Sequence, residues 1–460
     1  MIKTRDARLR DARRTKRPVS RSPASKNNMK RPTLNIVTLG CSKNKVDSEH
    51  LAALLEHRYV IRHDDERRSD VVIINTCGFI GDAQEESIDT ILEYAELRKQ
   101  GKIKKLYVTG CLSQRFKKDL QAEIHEVDAF YGVESVNLIA ADLLKEEVQP
   151  DYCSHRVLST PKHYAYLKIS EGCNRRCAFC AIPLIRGSHV SVPMENLIEE
   201  ARGLAKQGVK ELILIAQDLT YYGHDIDGQS HIVELVKALC EIDGFEWIRL
   251  HYGYPLGFPD ELLDLMRENP KICHYIDLPL QHISTHILKD MRRGVDKEQT
   301  IGFVENVRKH VPDIAFRTTF IVGFPGETEE DFEELCQFIK DMRFERAGVF
   351  AFSPEQGTPA YEMLDDVPDE VKQERVDKLM DIQQNISLEI NAQRVGKTEK
   401  VLIDRLEGDY YIGRTQYDSP EVDDEILISA ENELEIGRFY PVKITQADYF
   451  DCYGEVINMD

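Results

Sequence analysis

Residues 164–180 read Tyr164-Ala165-Tyr166-Leu167-Lys168-Ile169-Ser170-Glu171-Gly172-Cys173-Asn174-Arg175-Arg176-Cys177-Ala178-Phe179-Cys180, and this stretch decides the fold. The run through Ser170 reads as a strand, and the loop after it carries three cysteines at CxxxCxxC spacing. Three thiolates so spaced can grip three irons of a cubane cluster, because thiolate is the soft ligand such clusters need. The fourth iron is left without a protein ligand, and an open metal position is what a catalytic site requires. The loop follows the carboxyl end of its strand, where α/β barrels keep their active sites. A zinc knuckle competes with this reading. It needs a fourth ligand nearby, and the candidate, His189, lies beyond Pro183 and Gly187.

Downstream, strand-like runs recur at Glu211–Ala216, Trp247–His251, Tyr275–Pro279, Ile314–Val322 and Ala347–Phe352. Amphipathic helices at Met194–Lys206, Ile232–Cys240, Glu261–Glu268, Gln299–His310 and Glu330–Met342 fill the gaps. Six strand–helix units over roughly 230 residues predict a partial (βα)6 barrel rather than a full eight-fold one. A polar helix, Asp369–Gln393, follows as a connector.

Upstream, β-branched runs at Leu34–Leu39, Val71–Ile74 and Lys105–Thr109 alternate with helical patterns at Ser48–Leu55 and Ala83–Leu97, which predicts a parallel sheet. From Val395 the pattern changes to short strands at Val401–Ile403, Tyr410–Arg414, Glu425–Ser429 and Tyr440–Ile444. These predict a small antiparallel β-barrel. The fold class is therefore α/β, with domains at 32–148, 159–394 and 395–460 after a disordered basic tail over 1–31.

The 460 residues suit about three domains. Lys and Arg number 60 against 80 Asp and Glu, a formal charge of −20. Twelve basic and two acidic residues in 1–31 make the tail +10 and leave −30 on the rest. A body that acidic argues against nonspecific wrapping of nucleic acid, though not against a local basic groove. No apolar run approaches ~18 residues and no apolar h-region follows Met1, so neither a membrane span nor a secretory signal is expected and the chain reads as cytoplasmic. Residues 1–31 lack the amphipathic periodicity of a transit peptide, and deletion of residues 1–28 is expected to leave activity intact. Eleven cysteines in such a chain read as thiols for metal or catalysis rather than as disulfides.

A second cysteine set is dispersed. Cys41 ends Val37-Thr38-Leu39-Gly40-Cys41, Cys77 ends Ile74-Asn75-Thr76-Cys77, and Cys111 ends Val108-Thr109-Gly110-Cys111. Each follows a predicted parallel strand with a glycine beside it. Those carboxyl ends share one edge of the sheet, the edge where α/β sheets bind ligands, so three separate thiols can converge. Glycine lets backbone approach a bulky cluster. Buried cysteine is common singly, but recurrence at the same place in three units favours convergence.

The CxxxCxxC loop, with Phe179 before its last cysteine, resembles the radical S-adenosylmethionine superfamily. The two three-cysteine sets and the final barrel together resemble the methylthiotransferases from residue 32 to 460. Further matching pieces are Thr38-Leu39-Gly40-Cys41-Ser42-Lys43-Asn44 with Asp47-Ser48-Glu49, Ala216-Gln217-Asp218, Leu278-Pro279-Leu280-Gln281-His282, Gly323-Phe324-Pro325-Gly326-Glu327-Thr328 and Phe352-Ser353-Pro354-Glu355-Gln356-Gly357-Thr358. The resemblance implies two [4Fe-4S] clusters, one on Cys173, Cys177 and Cys180 that cleaves S-adenosyl-L-methionine to a 5′-deoxyadenosyl radical, and an auxiliary one on Cys41, Cys77 and Cys111 that carries sulfur. It implies that Gln217, Asp218, Gly323, Pro325, Gly326 and Glu327 lie in loops lining the adenosyl cofactor, that a flavodoxin or ferredoxin supplies the electron, and that the last domain is a TRAM domain. No catalytic residue beyond the cluster ligands follows from it.

Members of that family act on tRNA adenosines or on a protein. The run Gly413-Arg414-Thr415-Gln416-Tyr417-Asp418-Ser419-Pro420-Glu421-Val422-Asp423 looks like the protein-modifying branch, whose acceptor is an aspartate of the twelfth small-subunit ribosomal protein. Residues 395–460 carry six basic against sixteen acidic residues, a net −10 that would repel RNA and attract a basic ribosomal protein. Nucleic acid is thus not the expected primary substrate. The alternatives are a tRNA adenosine methylthiotransferase and a noncatalytic iron–sulfur electron carrier. Cys153, Cys240, Cys273, Cys336 and Cys452 have no ligand-like company, and the pair His282 and His286 is assigned no metal.

Overall fold

A computed structural model describes residues 31–65, 68–148, 155–431 and 433–457. The basic tail through residue 30, Cys153 and residues 458–460 lie outside the described residues.

The first sheet has five parallel strands, in the order Val60–His63, Thr33–Thr38, Val71–Thr76, Lys105–Gly110, Ala129–Phe130. The three central ones are those expected. The two edge strands escape sequence reading because one is half polar and the other has two residues. The central strand Val71–Thr76 is buried along its whole length, which is why it reads as a continuous apolar run rather than an alternation. Helix Ser42–Leu55 begins six residues before its apolar pattern does, and its polar first turns are buried, Lys43 and Asn44 included. Val46 of that helix packs with Tyr164, Tyr166, Ile213 and Ile215, seating the first sheet's helix on the second sheet.

The second sheet runs Tyr164–Lys168, Glu211–Ile215, Trp247–Leu250, Ile272–Asp277, Ala315–Val322, Arg346–Ala351, all parallel, in chain order and not closed. This is the partial six-stranded barrel the sequence predicts. Helices Met194–Lys206 and Ile232–Cys240 stand at the expected limits. Their apolar faces, with Leu197, Leu204 and Leu235, join Leu212, Ile248 and Phe316 in one core. Capping boxes at Asp296/Gln299 and Thr328/Asp331 start the helices Lys297–His310 and Glu329–Met342.

The third unit is a closed five-stranded barrel of Thr398–Glu407, Tyr410–Arg414, Glu425–Ser429, Asp451–Val456 and Phe439–Ala447. Four strand contacts are antiparallel and one, Glu425–Ser429 with Asp451–Val456, is parallel. The barrel docks on the amino ends of the second sheet, where Trp247 and Tyr275 meet Leu402 and Phe439. Buried ion pairs seal the seam. Arg414 binds Glu211 at 2.8 Å and Asp404 at 2.5 Å, Arg346 binds Asp418 at 2.6 Å and Asp424 at 3.1 Å, and Arg317 binds Asp423 at 3.2 Å. The run around Asp418 is thus a plug in the barrel floor. Four of the sixteen acidic residues of 395–460, Asp404, Asp418, Asp423 and Asp424, are turned inward against arginines, so the acidic surface is smaller than the net −10 implies.

Candidate active site

The dispersed cysteines stand at three carboxyl strand ends. Cys41 is the N-cap of helix Ser42–Leu55, Cys77 follows strand Val71–Thr76, and Cys111 opens helix Cys111–Glu123. Close backbone approach makes two of the neighbouring glycines obligatory. A Cβ on Gly40, at φ +82°, would lie 2.7 Å from Cys77 Cβ and 2.8 Å from its Sγ, and one on Gly110, at φ +96°, would lie 2.5 Å from Thr76 O. Asn44 knits the three ends together. Its Nδ2 donates to Leu39 O (2.8 Å) and Thr76 O (3.1 Å), its carbonyl accepts from Asn75 Nδ2 (3.0 Å), and its Oδ1 accepts from Cys111 Sγ (3.9 Å). The thiols act on one another: burial pushes Cys111 up to about 11, Arg186 opposes, and Cys41 and Cys77 add to the rise.

In the CxxxCxxC loop the Cys173 amide donates to Gly187 O (3.1 Å), Ala178 N to Met291 O (2.9 Å) and Cys180 N to Cys177 O (3.2 Å). Burial pushes Cys173 up to about 11 and Cys180 up to about 12. Arg293 Nη1 donates to Cys177 Sγ at 3.2 Å, and Arg175 and Arg293 both lie over the Tyr254 ring, at 4.0 and 4.3 Å. Among the described residues no three His, Cys, Asp or Glu are grouped tightly enough for a single ion. That does not conflict with a cubane cluster, whose ligands each take a different iron and so stand farther apart. His189, the candidate fourth zinc ligand, is engaged elsewhere, with Nε2 3.1 Å from Ser191 Oγ and its ring edge-on to Tyr221.

Arg186 reaches from the segment of one set to a thiol of the other. It ends the short helix Ile182–Arg186 after the cysteine loop, yet its Nη2 donates to Asn44 Oδ1 (2.6 Å) and Cys111 Sγ (3.6 Å). Its Nη1 donates to both Glu171 oxygens, at 2.8 and 2.9 Å. Lys168 binds Asp47 and, at 2.7 Å, Glu171. Above them Lys43 lies over the Tyr252 ring at 3.2 Å, and burial pulls its ammonium down to about 8.

Of the residues expected at the adenosyl cofactor, Gln217 and Asp218 bond to residues that flank or belong to the cysteine loop, and the other four lie together in one turn. Gln217 Nε2 donates to Glu171 (2.8 Å), while its buried Oε1 has no partner, a polar atom that a bound cofactor can satisfy. Asp218 accepts from Arg175 of the cysteine loop at 2.7 Å. In the turn after strand Ala315–Val322, Glu327 accepts from Gly323 N (2.5 Å), Phe324 N (3.2 Å) and Arg375 (3.0 Å). Burial lifts Glu327 to about 7 against those donors. Pro325 is buried, Gly326 N donates to Asp366 (2.8 Å), and Phe324 packs on Ala178 and Phe179 of the cysteine loop. The soft donors, the glycine cradle and this unpartnered amide oxygen fit iron–sulfur clusters and S-adenosylmethionine.

Sequence reasoning left Arg186, Arg293 and Tyr254 without roles, because partners 75, 116 and 77 positions away in the chain give no local signal. His282 and His286 do not share one helix. His282 is buried before helix Thr285–Asp290 and accepts from Ser284 N at 3.0 Å, whereas His286 is exposed beside Asp290 and Asp331. Cys240, Cys273, Cys336 and Cys452 sit in apolar clusters.

Family models match the three units in turn: an uncharacterized protein family, UPF0004, over residues 33–132, the radical SAM superfamily over 167–339 and the TRAM domain over 395–457. The core is that of a radical S-adenosylmethionine enzyme. A protein of Bacteroides thetaiotaomicron named ribosomal protein uS12 methylthiotransferase RimO is 54% identical over 434 residues, spanning 94% of this chain and 99% of that one. Proteins of the same name from Phocaeicola vulgatus and Parabacteroides distasonis are 54% and 53% identical, over 93% and 94% of this chain and the whole of each relative. The chain belongs to this RimO family. In fold it resembles the radical S-adenosylmethionine methyltransferase TsrM of Kitasatospora setae, at TM-scores of 0.51 (83% of this chain, 80% of that one, 14% identity) and 0.53 (82% and 79%, 15% identity). No helix of the described residues is long and apolar enough to cross a membrane.

Proposed function

We propose that this chain adds a methylthio group to the β-carbon of an aspartate in ribosomal protein uS12, in the cytoplasm, and that nucleic acid is not its primary acceptor. One observation carries this beyond the family name: Arg186, six residues after Cys180, bonds to Cys111 and Asn44 of the dispersed set and to Glu171, two residues before Cys173, so the segments bearing the two thiol sets meet at one side chain. An enzyme that activates a carbon and delivers sulfur to it needs both.

Cys173, Cys177 and Cys180 would hold the [4Fe-4S] cluster with an open iron, and Cys41, Cys77 and Cys111 the auxiliary [4Fe-4S] cluster that carries sulfur. When bound and reduced by a flavodoxin or ferredoxin, the first cluster with S-adenosylmethionine supplies hydrogen-atom abstraction from unactivated carbon, and a second S-adenosylmethionine supplies the methyl group. Gln217, Asp218, Gly323, Pro325, Gly326 and Glu327 would line the cofactor. The labour would divide between residues 32–148 for sulfur, 159–394 for radical chemistry and 395–460 for recognition. Arg293 and Tyr254 hold the Cys177 side, and the buried barrel wall excludes water.

Replacing Cys173, Cys177 and Cys180 together by Ala should abolish 5′-deoxyadenosine formation. Mass spectrometry of uS12 and bulk tRNA from a deletion strain should show the methylthio mass lost from uS12 alone. Loss from tRNA instead would replace this reading with a tRNA enzyme, and a reduced wild-type protein that never cleaves S-adenosylmethionine would make it an electron carrier.

A further inference from the structure

Among the described residues, the buried cations of this molecule are paired. Arg156 binds Glu49 and Glu200, Arg249 binds Glu211, and Lys372 binds Asp365. Arg293 has the Cys177 thiol and the Pro279 carbonyl. Lys43 is the exception. It is 8% exposed, its Nζ has no hydrogen bond or ion pair among the described residues, and its one close partner is the face of Tyr252 at 3.2 Å. A ring face replaces only part of the water an ammonium gives up, so an unpaired buried lysine calls for an anion.

The surroundings are built rather than accidental. Tyr252 is held at φ +65°, a conformation that a bulky residue rarely adopts and that aims its ring under the ammonium. The Ser42 hydroxyl, one residue before Lys43, is buried beside Tyr252 with no acceptor in good hydrogen-bond geometry. Two adjacent donors without acceptors, a hydroxyl and an ammonium, suit a carboxylate. The nearby acids stop short of it: Asp277 gives Oδ1 to Arg317 at 3.1 Å and keeps a buried Oδ2 without a hydrogen bond, Glu171 is held by Arg186 and Lys168, and neither carboxylate forms an ion pair with Lys43.

We propose that Ser42 and Lys43 form the subsite for the side-chain carboxylate of the acidic residue that is modified, and so select an acidic over an amide acceptor. The inference rests on the function proposed above. Its placement follows from the chemistry: the carbon to be methylthiolated must lie between the two thiol sets, and in an aspartate the carboxylate is one bond from that carbon. Lys43 sits two residues from Cys41, on the side of the site where sulfur is held. The carboxylate of S-adenosylmethionine is the other source of the same chemistry, and the kinetic arms separate the two.

The test uses the reconstituted holoenzyme with uS12 and with uS12 whose target Asp is replaced by Asn. Lys43→Met should raise the KM for uS12 about tenfold or more, as expected for loss of a charge-assisted hydrogen bond, and should erase the preference for Asp over Asn. The KM for S-adenosylmethionine and the iron content should match wild type. An unchanged KM and Asp/Asn preference, or a shift confined to the KM for S-adenosylmethionine, overturns the assignment. If Lys43→Met fails to load iron, Lys43→Arg, which keeps the charge, should load iron and retain the Asp preference; loss of either there overturns it. Failure of the wild-type enzyme on uS12 would instead refute the proposed function and is read independently of Lys43.

Discussion

Arg186 donates to the Cys111 thiol at 3.6 Å, although it belongs to the loop of the other cysteine set, six residues beyond Cys180. The same guanidinium holds Glu171 and Asn44. Burial opposes the charge on Glu171, and Lys168 and Arg186 together hold its carboxyl well below the usual range. One side chain therefore links the segment that carries Cys173 to the end that carries Cys111.

Arg186→Met should leave Glu171 and Asp47 with Lys168 as their remaining cation and strip Asn44 Oδ1 of its strongest donor. A broken buried pair costs about 3–5 kcal/mol, which denaturant unfolding would register. Iron should be lost from the Cys41, Cys77 and Cys111 set, visible as a fall in iron per chain. An unchanged midpoint with full iron would mean that Arg186 fixes nothing.

Gly40→Ala introduces a methyl group 2.8 Å from Cys77 Sγ at a backbone angle suited to glycine. The dispersed set should lose its cluster while the CxxxCxxC set still cleaves S-adenosylmethionine. Spectroscopy that finds two clusters per chain would contradict this crowding argument.

Arg293 places a positive charge and a hydrogen bond on Cys177 sulfur. Both favour the reduced, more negative cluster, so Arg293→Met should move its potential downward. An EPR-monitored redox titration reads the shift directly, and a potential equal to wild type would remove Arg293 from the tuning of this site.

Asp404 ties the last barrel to the core. Burial works against its carboxylate, but Arg414, with the His163 hydrogen bond, holds it down at about 2 against an ordinary 3.8. A depressed carboxyl contributes stability above its unfolded value and loses that contribution as pH falls through the folded one. Roughly 2 kcal/mol should therefore disappear between about pH 4 and 2. Asp404→Asn should lack this part of the acid loss. Unfolding curves with equal pH slopes for the two proteins would count against the pairing.

Much of this was legible in one dimension. The thiol spacing, the glycines beside Cys41, Cys77 and Cys111, and the strand–helix alternation are local patterns, and the helices Met194–Lys206 and Ile232–Cys240 match them residue for residue. Edge strand Val60–His63 and final strand Asp451–Val456 were not, since polar and turn-forming residues there find partners only across the sheet. The charge of the last barrel was legible only as a total. Counting it says how much acid the segment holds, not which carboxylates meet arginines 72 or 106 positions away, as Asp418 and Asp423 do.

The sequence by itself determined the chemistry: soft ligands at fixed spacings, in a frame of parallel strands whose carboxyl ends carry them. Ligand type and periodicity are short-range properties, so a linear reading reaches them. Only the tertiary structure decided that Arg186, in the chain just after one cysteine set, reaches Cys111 of the other, that Arg346 and Arg414 pair with acids of the plug, and that Lys43 alone among the buried cations described has neither a hydrogen bond nor an ion pair. Pairing and burial are long-range properties, and a charge acquires its meaning from what the fold places beside it.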